Sequence, residues 1–255
     1  MSDPLKRFST RVENYVKYRP GYPAGVIELL KAVCGLTSAS LIADVGSGTG
    51  ILSELFLKNG NTVFGIEPNA EMRLAAERLL RDYKQFVSLA AAAEATTLER
   101  ESVDFVVAAQ AFHWFNRNQA RREFARILRR GGWVALIWNE RRLDSTPFLQ
   151  GYEDLLLRFG TDYAQVRHEN VTGEIDEFFK PEPFEVKTLE NAQHFDFESL
   201  KGRLLSSSYA PERDHLNFKP MLAELEELFA KHQQKGIVSF DYDTRVFYGH
   251  LSRSS

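Results

Sequence analysis

The sequence predicts an α/β fold, with one mainly parallel sheet and helices on both of its faces. Two observations carry this prediction. Short apolar runs alternate with segments of helical spacing between residues 41 and 139, which is typical of βαβ units with right-handed crossovers. The run at 103–109 is apolar at nearly every position, as expected for a strand that is covered on both faces.

The elements follow in order along the chain. A first helix is predicted at 26–33, where apolar residues recur at helical spacing before Gly35. Apolar, β-rich runs predict strands at 41–45, 62–66, 86–89, 103–109 and 133–138. Helical spacing between these runs predicts helices at 51–58, 68–80 and 118–130.

The second half of the sequence is less regular. Residues 140–183 are mostly polar, and the proline-containing stretch 178–183 resembles a linker. Beyond it we predict an extended segment at 184–197, a helix at about 216–235 and a final β-rich segment at 237–251.

Composition limits the function. The chain has 255 residues, a formal net charge of −3 and 44% hydrophobic residues, which is ordinary for a globular protein and excludes collagen-like, disordered and disulfide-scaffold classes. Its single cysteine, Cys34, cannot form an internal disulfide. No signal peptide and no apolar run of about 18–20 residues is present in the sequence. We therefore expect a cytoplasmic protein with no membrane partner.

Nucleic acid is not expected as a partner either. The mild negative charge leaves no general basic footprint. The arginines of the predicted helix at 118–130 cover one arc, and its apolar residues face the other way, which is typical of a surface helix packed on a sheet.

The strongest signal is the loop Asp44-Val45-Gly46-Ser47-Gly48-Thr49-Gly50, which lies between a predicted strand and a predicted helix. Its glycines allow a sharp turn and a close approach of ligand to backbone. A dinucleotide fingerprint would need a third glycine where Ile51 stands, and the loop has no P-loop lysine. The loop therefore favours a nucleotide-type ligand without phosphates. Glu67, at the end of the second strand, can accept hydrogen bonds from ribose hydroxyls.

Together with this loop, four further motifs resemble the class I S-adenosylmethionine-dependent methyltransferases. They are Gly-Ile-Glu-Pro-Asn-Ala-Glu-Met, the Ala-Glu pair at 93–94, Val-Asp-Phe-Val-Val-Ala-Ala-Gln-Ala-Phe-His-Trp-Phe and Leu-Arg-Arg-Gly-Gly-Trp, all within residues 41–139. Residues 15–23 and 110–115 are most similar to the small-molecule branch that includes trans-aconitate methyltransferase-like enzymes. The resemblance implies a Rossmann-like fold with a seven-stranded sheet and an antiparallel last strand. It further implies an N-terminal helical lid at 1–40, a core at 41–139, a substrate cap inserted at 140–183 and a C-terminal part at 184–255.

The same resemblance implies a cofactor, S-adenosylmethionine, with S-adenosylhomocysteine as its product. The methionine part would lie against the glycine loop, oriented by Asp44, and Glu67 would hold the ribose. Pro68 and Met72 would lie along the adenine, and Ala92 stands where many relatives carry an aspartate for the adenine amino group. The implied cofactor contacts are Tyr18, Arg19, Asp44, Gly46, Ser47, Gly48, Thr49, Gly50, Glu67, Pro68, Met72, Ala93, Glu94, Gln110, Ala111 and Phe112.

Methyl transfer from a sulfonium needs positioning and dehydration of the reactants rather than a metal, and the six histidines show no paired ligand spacing. His113 is either a base or a structural residue. Aromatic side chains suit a cationic cofactor, although they are as often core residues. If the acceptor is a carboxylate, three arginines could hold it: Arg19, Arg141 and Arg142. The substrate residues expected are Tyr15, Tyr22, Trp114, Arg141 and Arg142.

The sequence thus predicts methyl transfer to a small-molecule acceptor, which could be a carboxylate. Two rivals stay open at this point. One is a regulator that binds the cofactor without turnover. The other is a nicotinamide-dependent oxidoreductase, which Ile51 disfavours.

Overall fold

A computed structural model describes residues 18–163, 171–207 and 209–252. Within these residues seven strands form one sheet. The strands are β1 (Leu41–Val45), β2 (Thr62–Ile66), β3 (Phe86–Leu89), β4 (Val103–Ala109), β5 (Leu128–Arg141), β6 (Phe184–Phe195) and β7 (Val238–Gly249). The sheet is therefore Rossmann-like and seven-stranded, as the resemblance implied.

The strand order is β3-β2-β1-β4-β5-β7-β6. All neighbours from β3 to β5 are parallel, and β7 runs antiparallel to both β5 and β6. The chain first builds outward from β1 through β2 to β3 and then returns to place β4 on the other side of β1. In open α/β sheets such a reversal opens a crevice at the carboxyl ends of the strands, where ligands bind.

The helices that flank this sheet are α1 (Gly25–Cys34), α2 (Ile51–Lys58), α3 (Ala70–Leu79), α4 (Arg117–Ile127), α5 (Pro147–Phe159), α6 (Val171–Phe179), α7 (Phe197–Leu205) and α8 (Phe218–His232). Four of them begin at a side-chain cap. Asn69, Asn116, Thr146 and Asp196 each accept a hydrogen bond from the backbone N–H three residues further on. Such a cap stabilises a helix by about 1 kcal/mol.

Both faces of the central strands are buried. Ile42 and Val107 pack with apolar residues of α1 and α2, whereas Ala43 and Val106 pack with those of α4 and α6. Successive residues of a strand point to opposite faces of the sheet. Adjacent residues of β1 and of β4 therefore contact the helices on opposite sides. Their apolar runs are thus explained by double coverage.

Helix α1 belongs to this core. Val26 and Leu30 are fully buried against the sheet. A lid formed by the N-terminal segment therefore has to lie before residue 25, and residues 1–17 lie outside the described residues.

A third apolar cluster covers the far ends of β6 and β7. Helices α5, α7 and α8 pack there around the buried side chains Phe148, Tyr152, Leu200, Leu204, Met221, Leu225, Phe240 and Tyr242. Of these three helices the sequence predicted only α8. Residues 140–183 therefore contribute α5 to this cluster and α6 to the face that carries α4.

Several predicted boundaries are corrected by the structure. The fifth strand is longer than predicted, since it runs from Leu128 to Arg141, with Leu128 paired to Val103 and residues 139–141 paired to β7. Helix α4 ends at Ile127 rather than at Arg130. The predicted linker begins too early. Phe178 and Phe179 close α6 and are buried in the core together with Ile175, at the i, i+3, i+4 spacing of one helix face.

None of the described helices has the length and apolar character needed to cross a membrane.

Candidate active site

The glycine loop lies at the carboxyl ends of β1 and β2. The backbone N–H groups of Gly46 and Ser47 both donate to the carbonyl of Ile66, at 2.8 and 3.1 Å. Gly50 then caps α2 in a left-handed conformation with φ +84°. The loop is thereby fixed between two strand ends and a helix N-terminus, which is the positive end of the helix dipole.

Two glycines of the loop are required by packing. A Cβ at Gly46 would lie 2.5 Å from the Cβ of Ala111, and one at Gly50 would lie 2.6 Å from Cδ1 of Leu80. Gly48 differs from them, because a Cβ there would meet nothing within 4 Å although its φ is +55°. The backbone at Gly48 therefore borders open space, where a ligand can approach it closely.

Glu67 borders the same space. Its carboxylate accepts hydrogen bonds from the backbone N–H of Gly48 at 2.9 Å and of Asn69 at 2.8 Å, and the residue is 8% exposed. Burial raises the pKa of this carboxyl, while the two backbone hydrogen bonds act in the opposite direction. Each carboxylate oxygen keeps a further lone pair, so Glu67 can still accept from two hydroxyl groups.

Asp44 lies beneath the loop and is almost fully buried. Ser53 Oγ donates to its Oδ2 at 2.6 Å. Burial raises the pKa of Asp44 to about 7; the Ser53 hydrogen bond opposes the shift and the nearby charge of Glu67 adds to it. Its Oδ1 and the buried Oγ1 of Thr49 have no hydrogen-bond partner among the described residues. These atoms are suited to polar groups of a ligand.

The pKa of Asp44 predicts a pH dependence of stability. The folded protein holds this proton more tightly than the unfolded chain, where the ordinary value is 3.8. The free energy of unfolding should therefore fall as pH rises towards 7, by at most about 1.4 kcal/mol per pH unit. Asp44→Asn removes this titrating group. In urea unfolding of the ligand-free protein, the free energy of unfolding of the variant relative to that of the wild type should therefore rise by about 1–3 kcal/mol between pH 5 and pH 7. Parallel stability curves would contradict the prediction.

The residues expected along the adenine lie at the ends of β2 and β3. Pro68 is exposed, whereas Met72 and Ala93 are buried. Glu94 accepts a hydrogen bond from the backbone N–H of Asn116 at 2.7 Å, so it holds the N-terminus of α4. Ala92 has no polar side-chain atom to offer a base.

The end of β4 lies beside the glycine loop. Gln110 has a φ of +53°, a strained conformation for a residue other than glycine. Its backbone N–H donates to the carbonyl of Ile137, and its Nε2 donates to the carbonyl of Asn139 at 2.8 Å. Gln110 thereby joins the ends of β4 and β5, while the next residue, Ala111, packs against Gly46.

The aromatic segment after β4 divides between core and surface. Phe112 is 0% exposed and packs edge-on against Trp138 and Phe178. The expected contact between Phe112 and the cofactor is therefore corrected: this ring has no exposed surface and supports the site from within the core. Trp114 is 45% exposed, and its ring centroid lies 4.5 Å from that of the half-buried His113.

The N-terminal candidates lie against α7 and the β6 edge of the sheet. The ring of Tyr18 is so close to Gly202 that a Cβ there would lie 2.1 Å from it. Arg19 Nη2 donates to the carbonyl of Ser206 at 3.2 Å. Tyr22 packs partly buried against the α1 layer. Tyr15 lies outside the described residues.

Arg141 and Arg142 have different surroundings. Arg142 donates to Asp243 at 2.7 Å, and its side chain is about one third exposed. Arg141 is nearly buried, forms an ion pair with Glu153 and lies over the ring of Tyr152 at 5.1 Å. Of these two arginines, Arg141 is the one that faces the interior.

Two polar residues near these strands were not predicted from the sequence. Asn139 is buried and accepts from the hydroxyl of Thr244 and donates to the carbonyl of Gly21, which fixes the N-terminal segment to β5. Arg203 is buried on α7. The signal for Arg203 was its position between Leu200 and Leu204 on one helix face.

A depression of about 460 Å³ lies elsewhere, lined by residues 128–132 and by Ala125, His250 and Leu251. Residues 128–132 begin β5, so this depression is at the opposite edge of the sheet from the glycine loop. It belongs to neither the loop nor the ends of β4 and β5.

The comparisons with known proteins agree with this geometry. Residues 43–136 match a family model described as a methyltransferase domain. An uncharacterized methyltransferase-like protein of Schizosaccharomyces pombe is 31% identical over 159 residues, which are 62% of this chain and 60% of that protein. An uncharacterized methyltransferase of Mycobacterium tuberculosis is 37% identical over 134 residues, or 52% of each chain. The chain thus spans just over half the length of these relatives.

Solved structures share the fold. A protein of Anaeromyxobacter dehalogenans, named as a candidate type II methyltransferase, has a TM-score of 0.73 at 21% identity, covering 93% of this chain and all of that one. The phosphoethanolamine N-methyltransferase 2 of Haemonchus contortus, solved with S-adenosylhomocysteine, has a TM-score of 0.57 at 14% identity over 96% of this chain and 58% of its own. Residues 43–136 are therefore similar to a methyltransferase domain, and the chain shares the fold of these solved methyltransferases.

Proposed function

We propose that this chain transfers a methyl group from S-adenosylmethionine to an oxygen, nitrogen or carbon of a small acidic or aromatic metabolite. The observation that carries the proposal is the open space at Gly48, where a Cβ would meet nothing within 4 Å, together with the carboxylate of Glu67 beside it. A ribose with two hydroxyl groups is the kind of ligand that this pairing suits.

The residues around the loop fit the cofactor. Asp44 Oδ1 and Thr49 Oγ1 are buried without a partner among the described residues, and the amino acid part of the cofactor brings hydrogen-bonding groups for such atoms. Glu67 would hold the ribose. Adenine would rest on Met72 and on the backbone near Ala93, since Ala92 offers no side-chain acceptor. The bound cofactor supplies a methyl group that its sulfonium charge has already activated.

The chain's own task is then to position the acceptor and exclude water. Gln110 and Ala111, at the end of β4, would face the reacting centre, and Trp114 would form part of the acceptor wall. His113 lies in this segment and would accept a proton from an acceptor that carries one. A carboxylate acceptor is already ionised at neutral pH and would need no base.

We further propose a carboxylate acceptor that is held by arginine. Arg141 faces the interior, and Arg19 donates to the carbonyl of Ser206, directly after α7. Arg142 is engaged by Asp243 at the surface, which leaves it the weaker candidate. Helix α5 would wall the acceptor site, and the segment before residue 25 would close over it. The charge of −3 and the lone Cys34 favour a cytoplasmic metabolite enzyme over a nucleic-acid enzyme.

A screen tests the proposal. The full chain is incubated with S-adenosylmethionine and a panel of acidic and aromatic metabolites, and S-adenosylhomocysteine release is measured. Release that depends on one class of metabolite is expected. Binding of S-adenosylhomocysteine without turnover on any member would favour the regulator instead. Binding of NADH in place of S-adenosylhomocysteine would favour the oxidoreductase.

A further inference from the structure

A buried polar cluster lies beyond the carboxyl end of β5, between α5, α7 and β7. We call it the arginine cluster; it consists of Arg141, Tyr152, Glu153, Tyr163 and Arg203. All five residues are at least nearly buried, with 2%, 7%, 7% and 8% exposure for Tyr152, Tyr163, Arg203 and Glu153 and 11% for the side chain of Arg141. The cluster thus places two guanidinium groups in the interior beside one carboxylate.

That carboxylate is committed to one of the two arginines. Glu153 forms the ion pair with Arg141, and its Oε2 also accepts from the hydroxyl of Tyr163 at 2.6 Å. The hydroxyl of Tyr163 in turn lies 3.2 Å from Nη2 of Arg141. Glu153 therefore neutralises Arg141.

Arg203 has no such counterion among the described residues. Its Nη1 donates to Oγ of Ser207 at 3.1 Å, and the hydroxyl of Tyr242 interacts electrostatically with its guanidinium group. Both of these partners are neutral groups. Since an arginine stays charged in a protein, the cluster holds one buried positive charge in excess. Such a charge costs several kcal/mol when nothing compensates it.

Polar atoms without a partner gather in the same place. Nη1 of Arg141, Nε of Arg203 and the hydroxyl of Tyr152 are all buried, and none has a hydrogen-bond partner among the described residues. The hydroxyl of Tyr152 interacts electrostatically with both guanidinium groups. All three atoms can donate a hydrogen bond, whereas Oε1 of Glu153, buried in the same cluster, can only accept. An anion is the complement of the three donors.

The cluster lies on the same edge of the sheet as the glycine loop. The carbonyl of Asn139 accepts from Nε2 of Gln110, whose neighbour Ala111 packs against Gly46. Arg141 follows two residues further along β5, on the same face and about 7 Å away. The arginine cluster therefore lies at the edge of the sheet where the proposed reacting centre lies.

We propose that Arg141, Arg203 and Tyr152 bind an oxyanionic group of the methyl acceptor, a carboxylate or a phosphate. This inference rests on the proposed methyltransferase function and adds Arg203 and Tyr152 to the acceptor site. Two fixed arginine forks suit the planar or tetrahedral oxygens of such a group. The bound oxyanion supplies the negative charge that the cluster lacks.

Direct binding tests the inference. Protein saturated with S-adenosylhomocysteine is titrated at constant ionic strength with succinate, with inorganic phosphate and with neutral succinamide. Succinate or phosphate should bind and raise the melting temperature, whereas succinamide should do neither. Binding of succinate alone indicates a carboxylate acceptor, and binding of phosphate alone a phosphorylated one. If neither anion binds to the saturated protein, the inference is wrong.

Two variants identify the residue. Arg203→Met should lower the affinity for the bound anion at least about 10-fold, as for a lost charged hydrogen bond, and Arg203→Lys should lose less. Arg158→Met removes an exposed arginine of α5 that pairs with Glu224 and should leave anion binding unchanged. Because Arg203→Met also removes the excess buried charge, its ligand-free melting temperature should not fall.

A lower melting temperature of Arg203→Met combined with unchanged anion affinity would assign Arg203 a purely structural role and overturn the inference. Binding of S-adenosylhomocysteine itself is measured separately for each variant and should stay unchanged. Failure of that binding in the wild type would contradict the proposed function, whereas failure of anion binding alone contradicts only the arginine cluster.

Discussion

Glu67→Ala should lower the affinity for S-adenosylhomocysteine about 10- to 100-fold, which corresponds to roughly 1–3 kcal/mol for hydrogen bonds to a charged group. The loss has two sources. The carboxylate holds the loop through the backbone N–H of Gly48, and its remaining lone pairs are the acceptors for the ribose hydroxyls. Isothermal titration calorimetry of both proteins measures the change.

A matched variant and a matched ligand separate these two sources. Glu77→Ala removes a half-exposed glutamate of α3 whose carboxylate accepts from Ser88, and it should leave the affinity unchanged. An analogue of S-adenosylhomocysteine that lacks the two ribose hydroxyls is the matched ligand. The loss of affinity caused by Glu67→Ala should be much smaller for this analogue than for S-adenosylhomocysteine. Equal losses with both ligands would show that Glu67 only orders the loop, and an unchanged affinity would contradict its role altogether.

Gly48→Ala should weaken binding of S-adenosylhomocysteine by a similar or larger factor. A methyl group at residue 48 would enter the open space beside the loop, and overlap of this kind costs about 1–3 kcal/mol, or about 10- to 100-fold in affinity. The substitution also forces alanine into the left-handed conformation at φ +55°, which costs about 1–2 kcal/mol of stability.

Gly131→Ala is the control for that strain. Gly131 has a φ of +74° and, like Gly48, nothing within 4 Å of an added Cβ, but it lies in the first part of β5 at the opposite edge of the sheet. Both variants should lose about the same free energy of unfolding, and only Gly48→Ala should lose cofactor affinity. If the two variants bind equally well, the ligand does not lie over Gly48.

The arrangement of the glycine loop and Glu67 could be predicted because its determinants are local in sequence. Asp44 to Gly50 follow one strand directly, and Glu67 ends the next, so the order of apolar runs and glycines already places them at one sheet edge. The bounds of β1 to β4 follow from the same runs, which end where glycine or polar residues begin. The structure thus confirms the predicted strands β1 to β4, whose bounds depend on residues close by in the sequence.

The rest depends on contacts between distant segments. Phe112 and Trp114 are two residues apart in one aromatic string, and only the packing of α6 against β5 decides that the first is core and the second exposed. The surroundings of Arg203 are formed by α5 and β7, because these elements place Tyr152 and Tyr242 beside α7. No periodicity within 197–205 identifies the partners of that arginine, so Arg141 is the one member of the arginine cluster that the sequence predicted as a substrate residue.

One titration tests the central claim, that the glycine loop and Glu67 form the binding site of S-adenosylmethionine. The full chain is titrated with S-adenosylhomocysteine in a calorimeter, and the complex is then challenged with S-adenosylmethionine and with NADH. We expect one bound S-adenosylhomocysteine per chain, displaced by S-adenosylmethionine and not by NADH. If the protein binds no S-adenosylhomocysteine, or releases it when NADH is added, the glycine loop and Glu67 are not the binding site of S-adenosylmethionine.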